Sequence, residues 1–313
     1  MLVRMNISPL PVRNGVNATR LRLPADAPFD TVAEYLLHRF GHLDPEEIIG
    51  RLGRGEIVAG DGTPLALSTR LGEYPFCWYY RSVPHEEALP VSYQILYRDA
   101  DLVVIDKPHF LPTTPGGRFI QETALVRLRN ELELPELVPI HRLDRATAGI
   151  LLFSANPATR GAYQQLFERQ EVGKRYQAVA PLPDRFSGFE PVEVRSHITK
   201  EKGVLRSVVK DRSTESVPAN AVSRIELIRA NDEHGLFKLT PYTGKTHQLR
   251  IHMATIGLGI LNDSFYPNLL PKAPDNYSEP LQLLAHWIGF TDPVSGRERE
   301  FTSQLTLKYA PVS

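Results

Sequence analysis

The 313-residue sequence has one cysteine, no excess of charge and no apolar run long enough to cross a bilayer. A single cysteine cannot form an internal disulfide. Cys77 therefore excludes the disulfide frameworks of small secreted proteins and is typical of a packed, unreactive thiol in an intracellular protein. The start of the chain, MLVRMNISPLPVRNG, also lacks the uninterrupted apolar segment of a signal peptide. We therefore expect a cytoplasmic protein without a membrane partner.

The charged residues balance, with 36 Lys plus Arg against 36 Asp plus Glu. The sequence thus has no net positive charge to attract nucleic acid, and any nucleic-acid partner must be held by local patches. The hydrophobic content of 42% is enough for a sizeable core, and the length predicts one large and one smaller domain.

The first part of the chain predicts a small module of two helices and a hairpin. The segment FDTVAEYLLHRFG has apolar side chains at helical spacing, with Asp30 as a candidate N-cap and Gly41 as a stop. DPEEIIGRLG predicts a second short helix, and GDG at 60–62 predicts a hairpin turn. This order resembles an S4-type RNA-binding module, although the segment has few basic residues, and a structural cap explains it equally well. The polar segment RSVPHEEALP places a boundary near residue 88, which divides the chain into 1–88 and 89–313.

The second part of the chain predicts strands interspersed with helices. Strands are predicted at 102–105, at 149–153 and around Tyr176, and helices from Asn156 to about Arg169 and from about Thr246 to Gly257. On the last helix, Leu249, Met253 and Ile256 form the predicted buried stripe. Arg250 lies roughly 100° around the helix from Leu249 and can point elsewhere.

A polar loop precedes the strand at 149–153. The segment PIHRLDRATAGIL places His141, Arg142, Asp144 and Arg145 within five positions. One interpretation is a solvated turn with a surface ion pair, which contributes little to stability. The other is an active-site loop held by a rigid scaffold, where functional side chains are often found.

Three segments together indicate a family. HRLDRATAG, KRYQAV and GKTHQLRIHMATIG, in this order and with these separations, resemble the signature segments of the RluA-type pseudouridine synthases. LVVIDKPHFLPTTPGG and LLAHWIGFTDPVSG resemble flanking parts of the same family, so the resemblance runs from about Val91 to about Leu305.

The resemblance implies both a fold and a reaction. The expected fold is an α+β catalytic domain with a mostly antiparallel central sheet, an RNA-binding cleft and a small N-terminal S4-like module. The expected reaction isomerises uridine in ribosomal or transfer RNA to pseudouridine, with no cofactor and no metal. RNA is the expected partner, and we expect the protein to be a monomer.

The resemblance also implies roles for three residues. Asp144 matches the catalytic carboxylate, which acts on the ribose or the base and assists proton transfer. Arg250 matches the cation that keeps this carboxylate ionised. Tyr176 matches the tyrosine that stacks against the uracil. An alternative interpretation makes Asp144 and Arg250 a structural ion pair and Tyr176 a core aromatic residue.

Further residues of the matching segments are candidates for RNA contact. Arg142 matches a residue that in some members fills the space left by the flipped nucleotide, and a stacked base must leave the stack before it can rotate on its ribose. The other candidates are His141, Arg145, Lys245 and His247.

Three departures from the usual family segments affect the expected specificity. Ala148 stands in place of a serine, Lys245 in place of an arginine, and Leu258 and Gly259 in place of histidine and proline. None coincides with the three catalytic positions, so we expect the chemistry to be retained while the choice of RNA differs.

Two rival functions remain open beside isomerisation. One is an RNA-binding protein with an inactive synthase domain, and the other is a hydrolase that cleaves N-glycosidic bonds with a single carboxylate and releases free uracil. A zinc site is not expected, because the relevant histidines match no zinc-ligand spacing. These histidines are His141, His247, His252 and His286.

Overall fold

The structure is a computed structural model that describes residues 8–81, 86–182, 189–201, 204, 206–209, 217–271 and 273–312. The chain divides into two units. Unit 1 contains residues 1–87, 115–121 and 126–135, and unit 2 contains 88–114, 122–125 and 136–313. The domain boundary near residue 88 stays a prediction, and this division also assigns two later segments to unit 1.

Between residues 8 and 81, unit 1 contains two helices and a three-stranded sheet. Its elements are β1 (Thr19–Arg22), α1 (Val32–Arg39), α2 (Pro45–Gly53), β2 (Val58–Ala59) and β3 (Phe76–Tyr79), and the strand order is β1-β3-β2. Cys77 on β3 is fully buried, and this burial raises the pKa of its thiol to about 12. The thiol is therefore protonated and unreactive at neutral pH.

The N-cap of α1 is Thr31 and not Asp30. The Thr31 hydroxyl accepts a hydrogen bond from the Glu34 N–H at 3.2 Å, and the Glu34 carboxylate accepts one from the Thr31 N–H at 3.2 Å. This reciprocal pair is a capping box, which satisfies two helix-terminal donors at once. The S4-type likeness of the unit stays a prediction.

The remaining elements follow in chain order. The strands are β4 (Gln94–Arg98), β5 (Leu102–Lys107), β6 (Val138–Pro139), β7 (Ala148–Ser154), β8 (Gly173–Pro181), β9 (Val192–Ser196), β10 (Ile198–Thr199), β11 (Val208–Val209), β12 (Ala221–Ala230), β13 (His234–Pro241), β14 (Leu283–Thr291) and β15 (Glu298–Thr302). The helices are α3 (Ala124–Leu132), α4 (Arg160–Glu168) and α5 (Gln248–Thr255).

A ten-stranded mixed sheet organises unit 2. Its order is β4-β5-β7-β14-β8-β13-β12-β9, with β15 paired to β14 and β6 paired to β7. Strands β7 and β14 run parallel, and the other paired strands run antiparallel. The fold is therefore α+β, as expected. Every residue of β5 and β7 is buried, which explains why both strands are recognisable as apolar runs.

Gly149 permits the close approach of β7 to β14. Its φ is +111°, and an added Cβ would lie 2.2 Å from the carbonyl oxygen of Ala285 on β14. A side chain at this position would therefore clash with backbone that cannot move independently of the sheet. The glycine thus sets the geometry of the strand that leaves the Asp144 loop.

Two predicted helices differ from the structure. Helix α4 begins at Arg160, because Asn156 instead forms a turn in which its side-chain oxygen accepts from the Ala158 N–H at 3.0 Å. The first six residues of helix α5, 248–253, are all buried, so burial there is not confined to one stripe. Arg250 and His252 are among these buried residues. None of the helices that the structure describes is long and apolar enough to cross a bilayer.

Candidate active site

The loop between β6 and β7 presents Asp144 on an anchored backbone. The hydroxyl of buried Thr113 donates to the Leu143 carbonyl at 2.9 Å and accepts from the Leu143 N–H at 3.3 Å. The Thr147 N–H donates to the Asp144 carbonyl at 3.0 Å and closes the turn. The Asp144 side chain is 32% exposed, so a fixed backbone holds a carboxylate that a bound molecule can reach.

Lys107, at the end of β5, holds this loop by hydrogen bonds to backbone carbonyls. It is fully buried, and its Nζ donates to the carbonyls of Pro108 and Leu111 at 2.9 Å and of Arg145 at 3.4 Å. Burial lowers the pKa of Lys107 to about 7, against the opposing effect of the nearby Asp144 carboxylate. Lys107 was not among the site residues expected from the sequence. A lysine that directly follows a buried apolar run was the available signal for a functional or structural role.

Arg250 lies between two carboxylates. Its Nε and Nη2 donate to Asp263 at 2.8 and 2.5 Å, and its Nη1 lies 3.6 Å from Asp144 Oδ2. The structure thus brings Arg250 and Asp144 together, but the hydrogen-bonded partner of Arg250 is Asp263. Burial acts to lower the pKa of Arg250, while the hydrogen bonds and charge of Asp263, together with the charge of Asp144, raise it overall. The guanidinium remains a fixed cation beside Asp144.

Asp263 is a site residue that the sequence analysis missed. Its side chain is fully buried, and its Oδ1 also accepts from the backbone N–H groups of Phe265 and Tyr266 at 2.8 and 3.2 Å. A buried arginine requires a buried anion. That requirement was the available signal, but it does not show which of the acidic residues supplies the anion.

His247 also faces Asp144. It adopts a left-handed backbone conformation with φ of 59° immediately before α5. Its Nε2 lies 3.7 Å from Asp144 Oδ2, and its Nδ1 lies 3.0 Å from the hydroxyl of Tyr266. Burial lowers the pKa of His247, and the negative charge of Asp144 offsets only part of this effect. The neutral imidazole is therefore favoured.

Tyr176 lies on β8 at the same site. It is half-buried, its register partners are Leu239 on β13 and Ala285 on β14, and it packs against the same buried cluster as Ala146. Burial and the negative charge of Asp144 both raise the pKa of its hydroxyl. Tyr176 is therefore neutral, and its ring lies close enough to Asp144 for the carboxylate charge to affect the pKa of its hydroxyl.

The other predicted RNA contacts separate into two groups. Arg142 and Lys245 are exposed. Arg145 forms an ion pair with Asp275 and donates to the Phe110 carbonyl at 3.2 Å. His141 is held by packing: its ring stacks on Phe167 with centroids 4.8 Å apart, and its Nε2 accepts from the Leu152 N–H at 3.2 Å. Burial lowers the pKa of His141 to about 3, so this imidazole is neutral.

The other two histidines considered for a zinc site, His252 and His286, lie in separate environments. His252 is fully buried with its Nε2 2.9 Å from the Ser196 hydroxyl, and His286 lies on β14. Within the described ranges, no group of three or more histidine, cysteine or acidic side chains is placed to hold a metal ion.

This arrangement can perform carboxylate chemistry on a bound aromatic group. Asp144 is accessible to a ligand, a buried cation stabilises its charge, and the ring of Tyr176 offers a neutral surface for stacking. A carboxylate held in this way can act as a nucleophile or as a base.

Comparisons with known proteins indicate a family. Residues 101–255 match the RNA pseudouridylate synthase family. The chain is 30% identical over 220 residues to the Dual-specificity RNA pseudouridine synthase RluA of Haemophilus influenzae, a match that covers 67% of this chain and 92% of that protein. It is 32% identical over 194 residues to the mouse Pseudouridylate synthase RPUSD2, a match that covers 60% of this chain and 33% of that protein.

The fold is also found in a solved structure. Human RNA Pseudouridylate Synthase Domain Containing 4 superimposes with a TM-score of 0.51 at 26% identity, over 68% of this chain and 88% of that one. The chain spans about a third of the length of the mouse relative but nearly all of the bacterial one. Sequence identity over most of a whole relative and a shared fold lead to the same conclusion: the chain belongs to the RluA-type family of RNA pseudouridine synthases, which are intramolecular isomerases.

Proposed function

We propose that this enzyme isomerises specific uridines in structured ribosomal or transfer RNA, with Asp144 as the catalytic carboxylate. The observation that carries the proposal is the environment of Asp144. Its side chain is one-third exposed, and its Oδ2 faces the buried guanidinium of Arg250 at 3.6 Å. A carboxylate that only stabilised the fold would be expected to form direct hydrogen bonds with this arginine, but Asp263 occupies that role.

The reaction requires the enzyme to break one bond to the ribose and form another. The N1–C1′ bond of uridine breaks, the uracil rotates, a C5–C1′ bond forms, and the proton lost from C5 is balanced by a proton gained at N1. Asp144 acts on the ribose or the base and assists these proton transfers. Arg250 keeps Asp144 ionised between transfers, and Tyr176 stacks against the uracil while it is detached.

The exposed arginine of the same loop fits the requirement for base extrusion. A uridine within a helical stack must leave that stack before its base can rotate. Arg142 is exposed two residues before Asp144, and we propose that it occupies the space left by the nucleotide. Exposed Lys245 contacts backbone phosphate, whereas His141 and Arg145 act by holding the loop.

We further propose that unit 1 adds phosphate contacts. It contains a cavity of about 390 Å³, lined in part by four arginines and two glutamates. These residues are Arg13, Arg51, Arg54, Arg81, Glu47 and Glu56. Arg54 Nε donates to Glu56 at 2.6 Å, yet the lining retains an excess of two positive charges. Guanidinium groups are well suited to bind phosphate, although a structural cap remains the alternative.

The proposed function is tested by tritium release from RNA labelled at C5 of uridine. Isomerisation removes the C5 hydrogen, so each turnover releases one label. Ribosomal RNA fragments and transfer RNAs, transcribed separately, show which RNA class is the substrate, and mapping pseudouridine in cells with and without the gene gives the position. Release of free uracil would instead indicate a hydrolase, and RNA binding without tritium release would indicate an inactive domain. Sedimentation tests the expected monomer.

A further inference from the structure

The hydrogen-bonding partners of Tyr266 determine which nitrogen of His247 carries the proton. The Tyr266 oxygen lies 2.7 Å from the Ser207 carbonyl oxygen, 3.0 Å from the Ser207 N–H and 3.0 Å from His247 Nδ1. Two oxygens 2.7 Å apart repel each other unless a hydrogen lies between them, so the tyrosine O–H donates to the Ser207 carbonyl. A hydroxyl has one hydrogen to donate. The Tyr266 oxygen can therefore only accept from His247, and Nδ1 must carry a hydrogen.

The other nitrogen of His247 consequently has a free electron pair. A neutral imidazole has one N–H, and the burial that lowers the pKa of His247 favours this neutral form. Nε2 is then an acceptor, and it faces Asp144 Oδ2 at 3.7 Å. A nitrogen electron pair and an ionised carboxylate oxygen cannot hydrogen-bond to each other, which agrees with this separation. A proton placed on the carboxyl group would provide the missing donor.

Asp144 Oδ2 thus lies between two groups with opposite preferences. Arg250 Nη1 at 3.6 Å favours the ionised carboxylate, and His247 Nε2 at 3.7 Å favours the carboxylic acid. A residue that must take up a proton and return it needs both forms to be accessible. Hydrogen bonds of this kind are often long in the free enzyme and shorten when substrate binds.

We propose that His247 is a positioning residue that accepts a hydrogen bond from the acid form of Asp144 during turnover. The inference rests on the proposed role of Asp144. When Asp144 removes a proton from the substrate, the electron pair of the broken bond stays with the substrate, and Oδ2–H donates to Nε2. The return of the proton restores the carboxylate, so no oxidant or reductant is needed. Tyr266 and Ser207 keep the imidazole in the orientation and tautomer that this step requires.

The charged and titratable groups around His247 come from several segments. They are Asp144, Lys200, Arg250, Asp263 and Tyr266. Arg250 and Lys200 add to the effect of burial and oppose protonation of the imidazole, whereas Asp144 and Asp263 favour it. Asp263 is itself hydrogen-bonded to Arg250, so its charge is largely offset.

Two substitutions separate the contact with Asp144 from the contact with Tyr266. The amide of His247→Asn lies where Nδ1 was and can still reach Tyr266, but nothing replaces Nε2. The longer side chain of His247→Gln places an amide oxygen near the former Nε2. We expect His247→Asn to lower kcat roughly 10- to 100-fold with little change in RNA affinity, and His247→Gln to recover part of the loss. His234→Asn, at the start of β13, is the matched control and should retain wild-type activity.

The pH dependence distinguishes this role from simple packing. If His247 stabilises the acid form of Asp144, then its removal lets the carboxylate persist at lower pH. The acidic limb of the kcat profile should therefore move to lower pH in His247→Asn. A shift to higher pH would mean that His247 donates to the carboxylate. An unchanged profile with an unchanged kcat would mean that it has no role in the step. Either result would overturn the inference.

Nitrogen-15 NMR of the free protein tests the tautomer without any RNA. The His247 signals are identified as those that disappear in His247→Asn. We expect a protonated Nδ1 and an unprotonated Nε2 near neutral pH. A protonated Nε2 would refute the inference even if the enzyme were active, and absence of isomerase activity in the wild-type protein would refute the proposed function while leaving the tautomer result intact.

Discussion

Replacement of Asp263 by asparagine tests how strongly the second carboxylate holds Arg250. Asp263 is fully buried and accepts four hydrogen bonds, two from Arg250 and two from the backbone N–H groups of Phe265 and Tyr266. An asparagine has the same shape but only one acceptor oxygen. Whichever way its amide is turned, an NH₂ group faces a donor, and the buried guanidinium loses its anion.

The expected loss of stability follows from burial. Removal of one partner of a buried ion pair costs about 3–5 kcal/mol, because the remaining charge is left without compensation. We expect a value near the lower end of this range, since Asp144 at 3.6 Å still offsets part of the charge of Arg250. The same change should reduce turnover, because the guanidinium is no longer held in the plane that directs Nη1 at Asp144.

Urea unfolding of the wild-type and variant proteins measures this loss. The control is Glu193→Gln, which removes the anion of an exposed ion pair with Arg195. The side chains of Arg195 and Glu193 are 62% and 41% exposed. An exposed pair contributes less than about 1 kcal/mol. If Asp263→Asn were no more destabilising than this control, the buried pair would not hold Arg250 in place, and the description of the site would be wrong.

Three further predictions address the cation, the sheet and unit 1. Arg250→Met should lower turnover about 100-fold or more, and its acidic limb should move to higher pH, because loss of the cation favours the protonated form of Asp144; an unchanged pH–rate profile would contradict the pairing. Gly149→Ala should lower the free energy of unfolding in urea by about 3 kcal/mol or more, because the added Cβ would clash with the Ala285 carbonyl. The control, Gly161→Ala on α4, adds its Cβ in open space and should raise the free energy of unfolding by about 0.5–1 kcal/mol. Replacing exposed Arg13 and Arg54 by glutamine should reduce the salt dependence of RNA affinity by about one unit of slope per lost phosphate contact; equal slopes would show that these two arginines contact no phosphate.

The parts of the fold that could be predicted are those determined by neighbouring residues in the sequence. Strands β5 and β7 are continuous apolar runs because both are buried throughout, and α2 begins where Asp44 and Pro45 provide its cap and first turn. Helix α4 was placed too early because Asn156 is equally suited to cap a helix or to form a turn. The choice follows from its hydrogen bond to Asp101, which is distant in sequence.

The site was predictable only in part, for a related reason. The proximity of Asp144, Arg250 and Tyr176 followed from the resemblance to a family, and the structure brings these residues together. Asp263 was not identified, because its role depends on a contact made across an irregular segment. The burial of the polar residues of α5 was not predicted either, because their hydrogen-bonding partners are distant in the sequence. His252 pairs with Ser196, and Gln248 donates to Ser223.

The central claim is that Asp144 performs the chemistry and does not bind the RNA. The most direct measurement compares tritium release and RNA affinity for the wild-type protein and Asp144→Asn, with the same RNA at saturation. We expect no release above background from Asp144→Asn, an RNA affinity within a few-fold of wild type, and an unchanged unfolding midpoint. Retained turnover in a folded Asp144→Asn protein would contradict the claim, as would a loss of turnover that saturating RNA restores.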